Sequence, residues 1–339
     1  MPNPTIKDVA KLAKVSIATV SLVIHKHKRI SEETRERVLK AIETLNYHPS
    51  RSARGLVSRK TGNIGFILTN DHFLRTEPFY TQIFMGTEFE AHTSEYYILL
   101  TTVLSNYAEG DHLPRFVLER NIDGMIVAGK VPSLLIDKLV KYNLPIVFID
   151  FMPSGKKSGV VIVDNISGGM QATDHLIELG HKRIGFIGGD IGHPSISDRL
   201  EGYKKALEIS KIKFNSKLID VEENYPARNN GYSAAKRLFE KNKDITAVFA
   251  CNDAMAIGVM QYLKEKGIKV PDNVSIIGFD DVVSEDSIEP SLSTIRVPKM
   301  ELGVEAMKLM IDLMKNGVQK TKKTVVPVQL IVRKSTGKI

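Results

Sequence analysis

The strongest constraint on the fold is an alternation of short apolar runs and amphipathic segments after Lys60. The apolar runs predict strands at 64–68, 97–101, 125–128, 146–149, 184–187, 217–221, 247–250 and 274–279. The segments between them predict helices at 79–92, 109–120, 134–142, 166–179, 199–210, 231–241 and 253–266. Short continuous apolar strands that alternate with helices are typical of parallel sheets covered by helices. Two successive series predict an α/β fold of two similar lobes, with ligands bound at strand carboxyl ends in the cleft between them.

The N-terminal region follows a different, all-α pattern. Thr5 and Asp8 have the spacing of a capping box, and apolar residues then recur at helical spacing up to Ala13. Ser16 is a favourable N-cap for a second short helix. Two short helices joined by a turn of three to four residues form a helix-turn-helix. Lys14 lies in that turn, where glycine is common, which predicts backbone strain there.

A third helix is expected from Glu32 to Leu45, with Ser31 as its cap. Its predicted apolar stripe consists of Val38, Leu39, Ile42 and Leu45.

The charge distribution also separates the N-terminal region from the rest of the chain. The protein has 47 Lys and Arg and 39 Asp and Glu residues, of which the first 60 positions hold 13 and 5. The rest of the chain holds 34 of each, so the whole excess of +8 lies in the N-terminal region. A small basic unit on a neutral body is typical of nucleic-acid binding. The alternative is a solvated basic face, which the interleaved apolar pattern makes less favourable.

Several classes of protein are disfavoured by the sequence. No apolar run is long enough to span a bilayer, and Met1–Lys14 lacks the apolar core of a signal peptide, so a cytoplasmic location is expected. Cys251 is the only cysteine, which excludes an intrachain disulfide. Metal-ligand spacings, a P-loop and a nucleophile elbow are absent, so we expect no metal, no cofactor and no enzymatic activity.

In a helix-turn-helix, the second helix lies in the major groove with its N-terminal side chains nearest the base edges. The side chains expected to face bases are Ile17, Ala18 and Leu22. Those expected to donate to phosphates are Ser16, Thr19, Ser21 and His25. The positive end of the helix also attracts an anion.

The N-terminal region resembles the LacI/GalR family of bacterial transcription regulators. The resemblance is carried by T-I-K-D-V-A-x-x-A-x-V-S-x-x-T-V-S, then S-x-x-T-R-x-x-V and L-N-Y-x-P, in order. It implies a head over residues 1–49 and a hinge helix over residues 50–60 that is ordered when two subunits pair on DNA. Leu56 then has the position of the leucine that is wedged into the minor groove, with Arg51 and Arg54 beside it. The DNA-contact set also includes Thr5, Tyr47, Ser52 and Ala53. Without DNA, a flexible basic linker is the alternative.

Two positions depart from the family pattern. Leu22 stands where arginine is frequent, and leucine cannot donate a hydrogen bond to guanine. His25 replaces the usual asparagine. An operator that differs at the facing base pairs is therefore expected.

The body resembles the two-lobed core of periplasmic binding proteins. The marks include D-G-M-I-V at Asp123, P-I-V-F-I-D at Pro145, R-L-E-G-Y at Arg199, N-D-A-M-A-I-G at Asn252 and V-S-I-I-G-F-D-D at Val274. The resemblance implies three crossings between lobes, expected at 163–165, 293–296 and 323–326. The N-lobe is then about 61–163 plus 296–323, and the C-lobe about 164–293 plus 326–339, both within an effector-binding and dimerisation core over residues 61–339.

The resemblance also implies the residues that bind a small-molecule effector in the cleft. Asp150, Arg199, Asn252 and Asp280 are the polar candidates, because they follow strands or begin helices. Carboxylate, amide and guanidinium groups suit neighbouring hydroxyls, which favours a sugar. Phe79, Tyr80, Phe151 and Tyr225 are the candidate apolar walls. The alternatives are loop caps for Asn252 and Asp280, a pair with Asp190 or Asp198 for Arg199, and core packing for the aromatic residues.

These features predict an effector-controlled transcription factor, a repressor that binds a near-palindromic DNA operator as a homodimer. The chain ends without the leucine-repeat helix of the family's tetrameric members, which favours a dimer. Control by a purine, a nucleoside or a partner protein is the alternative. A solute-binding protein and a Rossmann-type enzyme are the competing classes.

Overall fold

The computed structural model describes residues 4–24, 29–47, 60–73, 79–282 and 288–339. The chain divides into two compact units, Met1–Gly62 and Asn63–Ile339. Among the described helices, none combines the length and apolarity that a membrane span requires.

The described residues of the first unit form three helices: α1 (Ile6–Ala13), α2 (Ile17–Ile24) and α3 (Glu32–Thr44). They enclose a small core whose buried members are Val9, Ala10, Ala13, Val20, Val23, Val38, Ala41 and Tyr47. Leu39 was expected in this core but is 51% exposed, because Val38 and Ala41 occupy the inward face of α3.

The predicted local signals at Thr5, Lys14 and Ser16 are confirmed, whereas Ser31 occupies the N-cap position of α3 without a side-chain capping hydrogen bond. The Asp8 carboxylate accepts hydrogen bonds from the Thr5 amide at 2.8 Å and from the Thr5 hydroxyl at 2.7 Å. Lys14 has left-handed backbone geometry with φ of 54°, which ends α1 and costs a non-glycine residue conformational energy. The Ser16 hydroxyl accepts a hydrogen bond from the Thr19 amide at 3.1 Å and so caps α2.

The second unit contains two six-stranded sheets, each covered by helices. The first sheet has the order β11-β5-β4-β3-β1-β2 and is parallel throughout. Its strands are β1 (Asn63–Thr69), β2 (Tyr97–Val103), β3 (Gly124–Ala128), β4 (Ile146–Ile149), β5 (Gly159–Val163) and β11 (Lys322–Val326). The second sheet has the order β12-β10-β9-β8-β6-β7, with β12 antiparallel to β10. Its strands are β6 (Ile184–Ile187), β7 (Ile219–Asp220), β8 (Ala247–Ala250), β9 (Ser275–Asp280), β10 (Ser293–Arg296) and β12 (Gln329–Ile331).

Besides two short 3-10 helices at Val140–Tyr142 and Ser216–Leu218, nine α-helices are described in this unit. They are α4 (Asn70–Phe73), α5 (Phe79–Thr93), α6 (Arg115–Leu118), α7 (Ser133–Leu139), α8 (Asn165–Glu178), α9 (Pro194–Ile209), α10 (Arg228–Lys241), α11 (Asp253–Glu265) and α12 (Lys299–Asn316). Three pairs of these helices cross where a glycine of each lies against the backbone of the other: Gly86 with Gly303, Gly169 with Gly202, and Gly231 with Gly258. A Cβ at Gly86 would lie 1.9 Å from the Met300 carbonyl oxygen, and one at Gly303 would lie 2.0 Å from that of Ile83.

Several predicted elements have different bounds. The helix expected at 109–120 is reduced to α6, because Pro114 disfavours helical geometry in the residue before it. The helix expected from Arg199 begins at Pro194, so Arg199 lies in its second turn and does not open it.

Two crossings between the sheets also occur later than expected. Residues 293–296 and 322–326 are strands, and the chain passes between sheets at 297–298 and 327–328. Four strands, β5, β10, β11 and β12, were not predicted from the sequence.

Candidate effector cavity and nucleic-acid interface

A cavity of about 200 Å³ lies between the two sheets, at the carboxyl ends of their strands. Its lining includes seven of the eight predicted effector residues: Phe79, Tyr80, Asp150, Arg199, Tyr225, Asn252 and Asp280. Parallel strands bring their carboxyl ends to one edge, which explains why residues far apart in sequence meet here. Their role in binding an effector stays a prediction.

Asp150 forms a buried corner of the cavity directly after β4. Its backbone is left-handed, with φ of 58°, and its side chain is 8% exposed. Tyr80 donates its hydroxyl to Oδ2 at 3.1 Å, and Ser195, in the first turn of α9, donates to Oδ1 at 2.7 Å. One carboxylate therefore joins elements that cover different sheets.

Arg199 is the most extensively bonded side chain of the cavity. Nε donates to Asn165 Oδ1 at 2.9 Å and Nη1 donates to the Cys251 carbonyl at 2.6 Å. Nη2 lies 3.3 Å from Asp280 Oδ1. The guanidinium also stacks over the Phe279 ring, 3.7 Å from its centre. The carboxylate that pairs with Arg199 is thus that of Asp280, and not that of Asp190 or Asp198, which the alternative interpretation named.

Asn252 serves as a helix cap and lines the cavity as well. Its Oδ1 accepts a hydrogen bond from the Met255 amide at 2.9 Å, which caps α11. Its Nδ2 donates to the Pro226 carbonyl at 3.0 Å. The cap interpretation is therefore confirmed and is compatible with a place in the cavity wall.

The aromatic wall begins at the first turn of α5. Phe79 and Tyr80 are buried there, and the Tyr80 ring stacks on His72 with centroids 4.5 Å apart. Phe151 was expected in this wall, but it packs edge-on against Phe148 in the core of the first sheet. Phe151 is not among the residues that line the cavity, so the prediction for Phe151 is wrong.

The mouth of the cavity contains an ion pair that the sequence did not reveal. Lys130 Nζ lies 3.2 Å from Asp190 Oδ2, and it also donates to the Gly192 carbonyl at 3.4 Å. The Gly192 amide and, to a lesser extent, Lys130 hold the pKa of Asp190 below its usual value. Lys130 follows β3 and Asp190 follows β6. Both therefore lie after the carboxyl end of a strand, which is the criterion that selected the other polar residues of the cavity.

The charges around the cavity are predominantly acidic. Asp71, Asp150, Asp190 and Asp280 line it together with two cations, Lys130 and Arg199, both already engaged with carboxylates. Among the described residues, no cluster of His, Cys, Asp and Glu has the arrangement of a metal site.

The first unit exposes the side chains expected to face DNA bases. Ile17 and Leu22 on α2 are 45% and 37% exposed, and Ala18 is also exposed. Ser16 and Thr19 share a hydrogen bond of 2.9 Å at the N-terminus of α2. Ser21 is half-buried and Thr5 is exposed at the start of α1.

Tyr47 differs from the other DNA-contact candidates. Its side chain is 6% exposed and belongs to the core of the first unit. The prediction that Tyr47 faces DNA is therefore not supported, because its ring packs between the helices. His25, Arg51, Ser52, Ala53, Arg54 and Leu56 lie outside the described residues, and their DNA contacts stay predictions.

Comparison with known proteins identifies the family. Residues 5–50 match the family of bacterial regulatory proteins of the lacI type, and residues 173–336 match the periplasmic binding protein-like domain. The HTH-type transcriptional repressor PurR of Haemophilus influenzae (strain ATCC 51907 / DSM 11121 / KW20 / Rd) is 35% identical over 340 residues, which cover 99% of each chain. The chain belongs to the LacI family.

Solved structures of LacI-type regulators share this architecture. The transcriptional regulator CelR in complex with cellobiose has a TM-score of 0.73 and 29% identity, over 98% of this chain and 99% of that chain. A LacI family regulator from Enterococcus faecium with bound ribose has a TM-score of 0.70 and 28% identity, over 82% of this chain and 99% of that chain. This LacI-family protein is accordingly a DNA-binding transcriptional regulator, as its sequence predicts.

Proposed function

We propose that this regulator represses transcription by binding a near-palindromic operator as a homodimer, and that a sugar in the cavity controls it. The observation that carries the proposal is the ring of polar groups between the two sheets. Asp150, Arg199, Asn252 and Asp280 converge there from four separate strand ends or helix turns. A ligand that contacts both sides changes the balance between open and closed lobes only when it binds one arrangement better.

The chemistry of the lining favours an uncharged, hydroxyl-rich ligand. The carboxylates of Asp150 and Asp280 accept hydrogen bonds, while Arg199 and the amide of Asn252 offer donors, a combination that suits neighbouring hydroxyls. The acidic excess disfavours an anionic ligand, since a phosphate would meet more carboxylates than free cations. The cellobiose and ribose bound to the two related regulators support the same class of ligand.

A purine or nucleoside is the second candidate. It is favoured by the aromatic side chains of Phe79, Tyr80 and Tyr225 in the lining, because a planar base can stack on them. The two candidates differ in what they require: a base needs a flat aromatic slot, whereas a sugar needs paired hydrogen-bond groups.

Exposed apolar side chains support dimerisation of the second unit. Met85 and Phe89 on α5 are 46% and 58% exposed, and Tyr97 and Leu100 on the edge strand β2 are 59% and 40% exposed. A patch of this kind on an edge strand is a liability unless it is covered, and a second copy related by a two-fold axis covers it on both subunits. Sedimentation of Leu100→Lys against the unchanged protein tests this arrangement.

The DNA-binding part of the proposal is tested by selecting bound fragments from a random DNA pool. We expect a two-fold symmetric consensus and an affinity that falls steeply with salt, as phosphate contacts require. Binding without sequence preference would contradict the proposal. Ile17→Ala and its surface control Leu39→Ala separate base readout from folding.

The effector is tested by thermal shift of the full chain with sugars, nucleosides and free bases. A bound ligand raises the melting temperature by mass action. A shift with sugars that Arg199→Lys reduces supports the sugar assignment. A shift with bases alone assigns the cavity to the second candidate.

A further inference from the structure

The last residue of β9 and the residue after it form a strained corner beside the cavity. Asp280 and Asp281 both have positive φ, at 105° and 55°. Such geometry is costly for residues with a β-carbon and persists only where surrounding contacts enforce it. Asp280 turns its carboxylate towards Arg199 and the cavity, so the contacts that hold this corner also set the position of a cavity carboxylate.

Lys299 holds the corner from the side of the first sheet. It is the first residue of α12 and its side chain is 5% exposed. Its Nζ donates to the carbonyls of Asp280 at 2.6 Å, Asp281 at 3.1 Å and Val297 at 3.2 Å. A buried ammonium is expensive to desolvate, so its retention at this place calls for an explanation beyond packing.

Asp253 holds the same corner from the side of the second sheet. Its Oδ2 accepts the Val282 amide at 3.0 Å and its Oδ1 accepts the Thr294 hydroxyl at 2.6 Å. Burial, together with the nearby charge of Asp280, raises the pKa of Asp253 to about 7. Burial lowers the pKa of Lys299, against the opposing charges of Asp280 and Asp281. Two buried side chains from different lobes, those of Lys299 and Asp253, therefore form hydrogen bonds with the backbone of this corner and of Val282, which follows it.

The helix that begins with Lys299 lies directly against the helix that begins at the cavity. At the crossing of α12 and α5, the space next to Gly86 is filled by the backbone of Met300, the neighbour of Lys299. The first turn of α5 supplies Phe79 and Tyr80 to the cavity wall. A displacement of the start of α12 must therefore displace α5, since backbone in contact with backbone leaves no room for independent movement.

We infer that Lys299 is a positioning residue that links the carboxylate of Asp280 to the α5–α12 helix pair, so that a change at Asp280 is transmitted into the first lobe. This inference rests on the proposed function, in which the cavity holds the effector. The three hydrogen bonds of Lys299 Nζ are the contacts that transmit a change at Asp280 to the start of α12. A two-state element biased from the cavity is what an allosteric route requires.

The test is hydrogen–deuterium exchange on the full chain without ligand or DNA. Asp280→Asn removes the carboxylate charge and serves as the perturbation at the cavity. Exchange is followed in peptides from 79–93 and 299–316, in four backgrounds: unchanged, Lys299→Met, Lys299→Arg and Lys308→Met. Lys308 is the matched control, because it lies on the same helix, is half-exposed and pairs with Glu305.

We expect Asp280→Asn to change exchange in the start of α5 and of α12 by about threefold or more in the unchanged and Lys308→Met backgrounds. Lys299→Arg keeps a donor and a charge and should preserve the effect, whereas Lys299→Met should abolish it. A purely structural lysine would alter the baseline exchange but leave the response to Asp280→Asn intact.

Two results would overturn the inference. One is an absence of any response in α5 and α12 of the unchanged background, and the other is an equal response with Lys299→Met. If Lys299→Met does not fold, Lys299→Gln replaces it, and the same two results apply. Because neither effector nor DNA is present, failure of operator binding or of sugar binding leaves this result unaffected.

Discussion

The surface of the first unit that is predicted to face DNA and the cavity of the second unit are built in opposite ways. Ile17 and Leu22 are exposed, and the bonds of Ser16 and Thr19 connect neighbours on one helix. In the cavity, by contrast, Arg199 is 5% exposed and bonds to residues of α8, β9 and the end of β8. The difference teaches that a change on the DNA face reports on recognition alone, whereas a change in the cavity also alters the stability of the fold.

Arg199→Ala should give the largest effect and is the strongest test of this contrast. It leaves Asp280 buried without its guanidinium partner, which destabilises a protein by about 3–5 kcal/mol. Urea unfolding measures the loss, and Arg115→Ala is the control, because Arg115 pairs with Glu119 on the surface. A loss below about 1 kcal/mol, comparable to a surface pair, would erase the contrast.

Asp253→Asn should change how stability depends on pH. The folded-state pKa of Asp253 is raised from 3.8 to about 7, mainly by burial and then by the charge of Asp280. The stabilisation from the bound proton is full below pH 3.8 and is lost as the pH rises through about 7. As the pH rises from 3.8 to about 7, the free energy of unfolding of the unchanged chain should fall relative to that of the variant. The decrease should be at most about 1.4 kcal/mol per pH unit.

The measurement is urea unfolding at pH 5, 6, 7 and 8 for both proteins, values chosen to bracket a pKa of about 7. Burial lowers the pKa of His181, whose own stabilisation is lost as the pH falls below 6.5. That contribution is present in both proteins and cancels in the difference. Parallel pH profiles would show that Asp253 is ionised throughout.

Ile17→Ala should weaken operator binding while leaving the fold intact. Loss of an apolar contact to a base edge corresponds to about a tenfold loss of affinity. The free energy of unfolding should change by less than about 0.5 kcal/mol, as is usual for exposed side chains. Leu39→Ala on α3 is the control for affinity, since Leu39 is equally exposed but lies outside the predicted base-facing set. Equal affinities for both variants would remove Ile17 from the interface.

Lys130→Ala should have the smallest effect on stability, although Lys130 lies in the cavity lining. Its ion pair with Asp190 is about half-exposed on both sides, and such pairs contribute about 0–1 kcal/mol. The same denaturation assay measures it. A decrease in the free energy of unfolding as large as that of Arg199→Ala would show that the exposed ion pair stabilises the fold as much as the buried contacts of Arg199.

The sequence predicts those cavity residues that directly follow an apolar strand. Asp150, Asn252 and Asp280 each follow an apolar strand, and parallel strands place such residues at one edge. Ser195 escaped the prediction because it lies in the first turn of α9 and meets Asp150 across 45 positions of sequence. Lys130 follows β3 and satisfies the same criterion, but it was not selected. Phe151 was misplaced because it packs against Phe148 in the core of the first sheet, a contact that its position after β4 did not reveal.

The head was predictable for a different reason. Its caps at Thr5 and Ser16 depend on neighbours within three residues, so local sequence determines them. Burial was harder to predict, since helical spacing placed Leu39 in the core and the family resemblance placed Tyr47 among the DNA contacts. A helix of this length offers alternative apolar faces, and only the packing of all three helices selects one.

The glycine pairs at the three helix crossings have a practical consequence for altering the specificity of this regulator. Alanine is normally the safest replacement in a helix, and it stabilises an exposed helical position by about 1 kcal/mol relative to glycine. At Gly86, Gly169, Gly202, Gly231, Gly258 and Gly303 the same methyl group would overlap a carbonyl of the partner helix. A library that randomises the cavity should therefore keep these six codons constant, although none of the six residues lines the cavity.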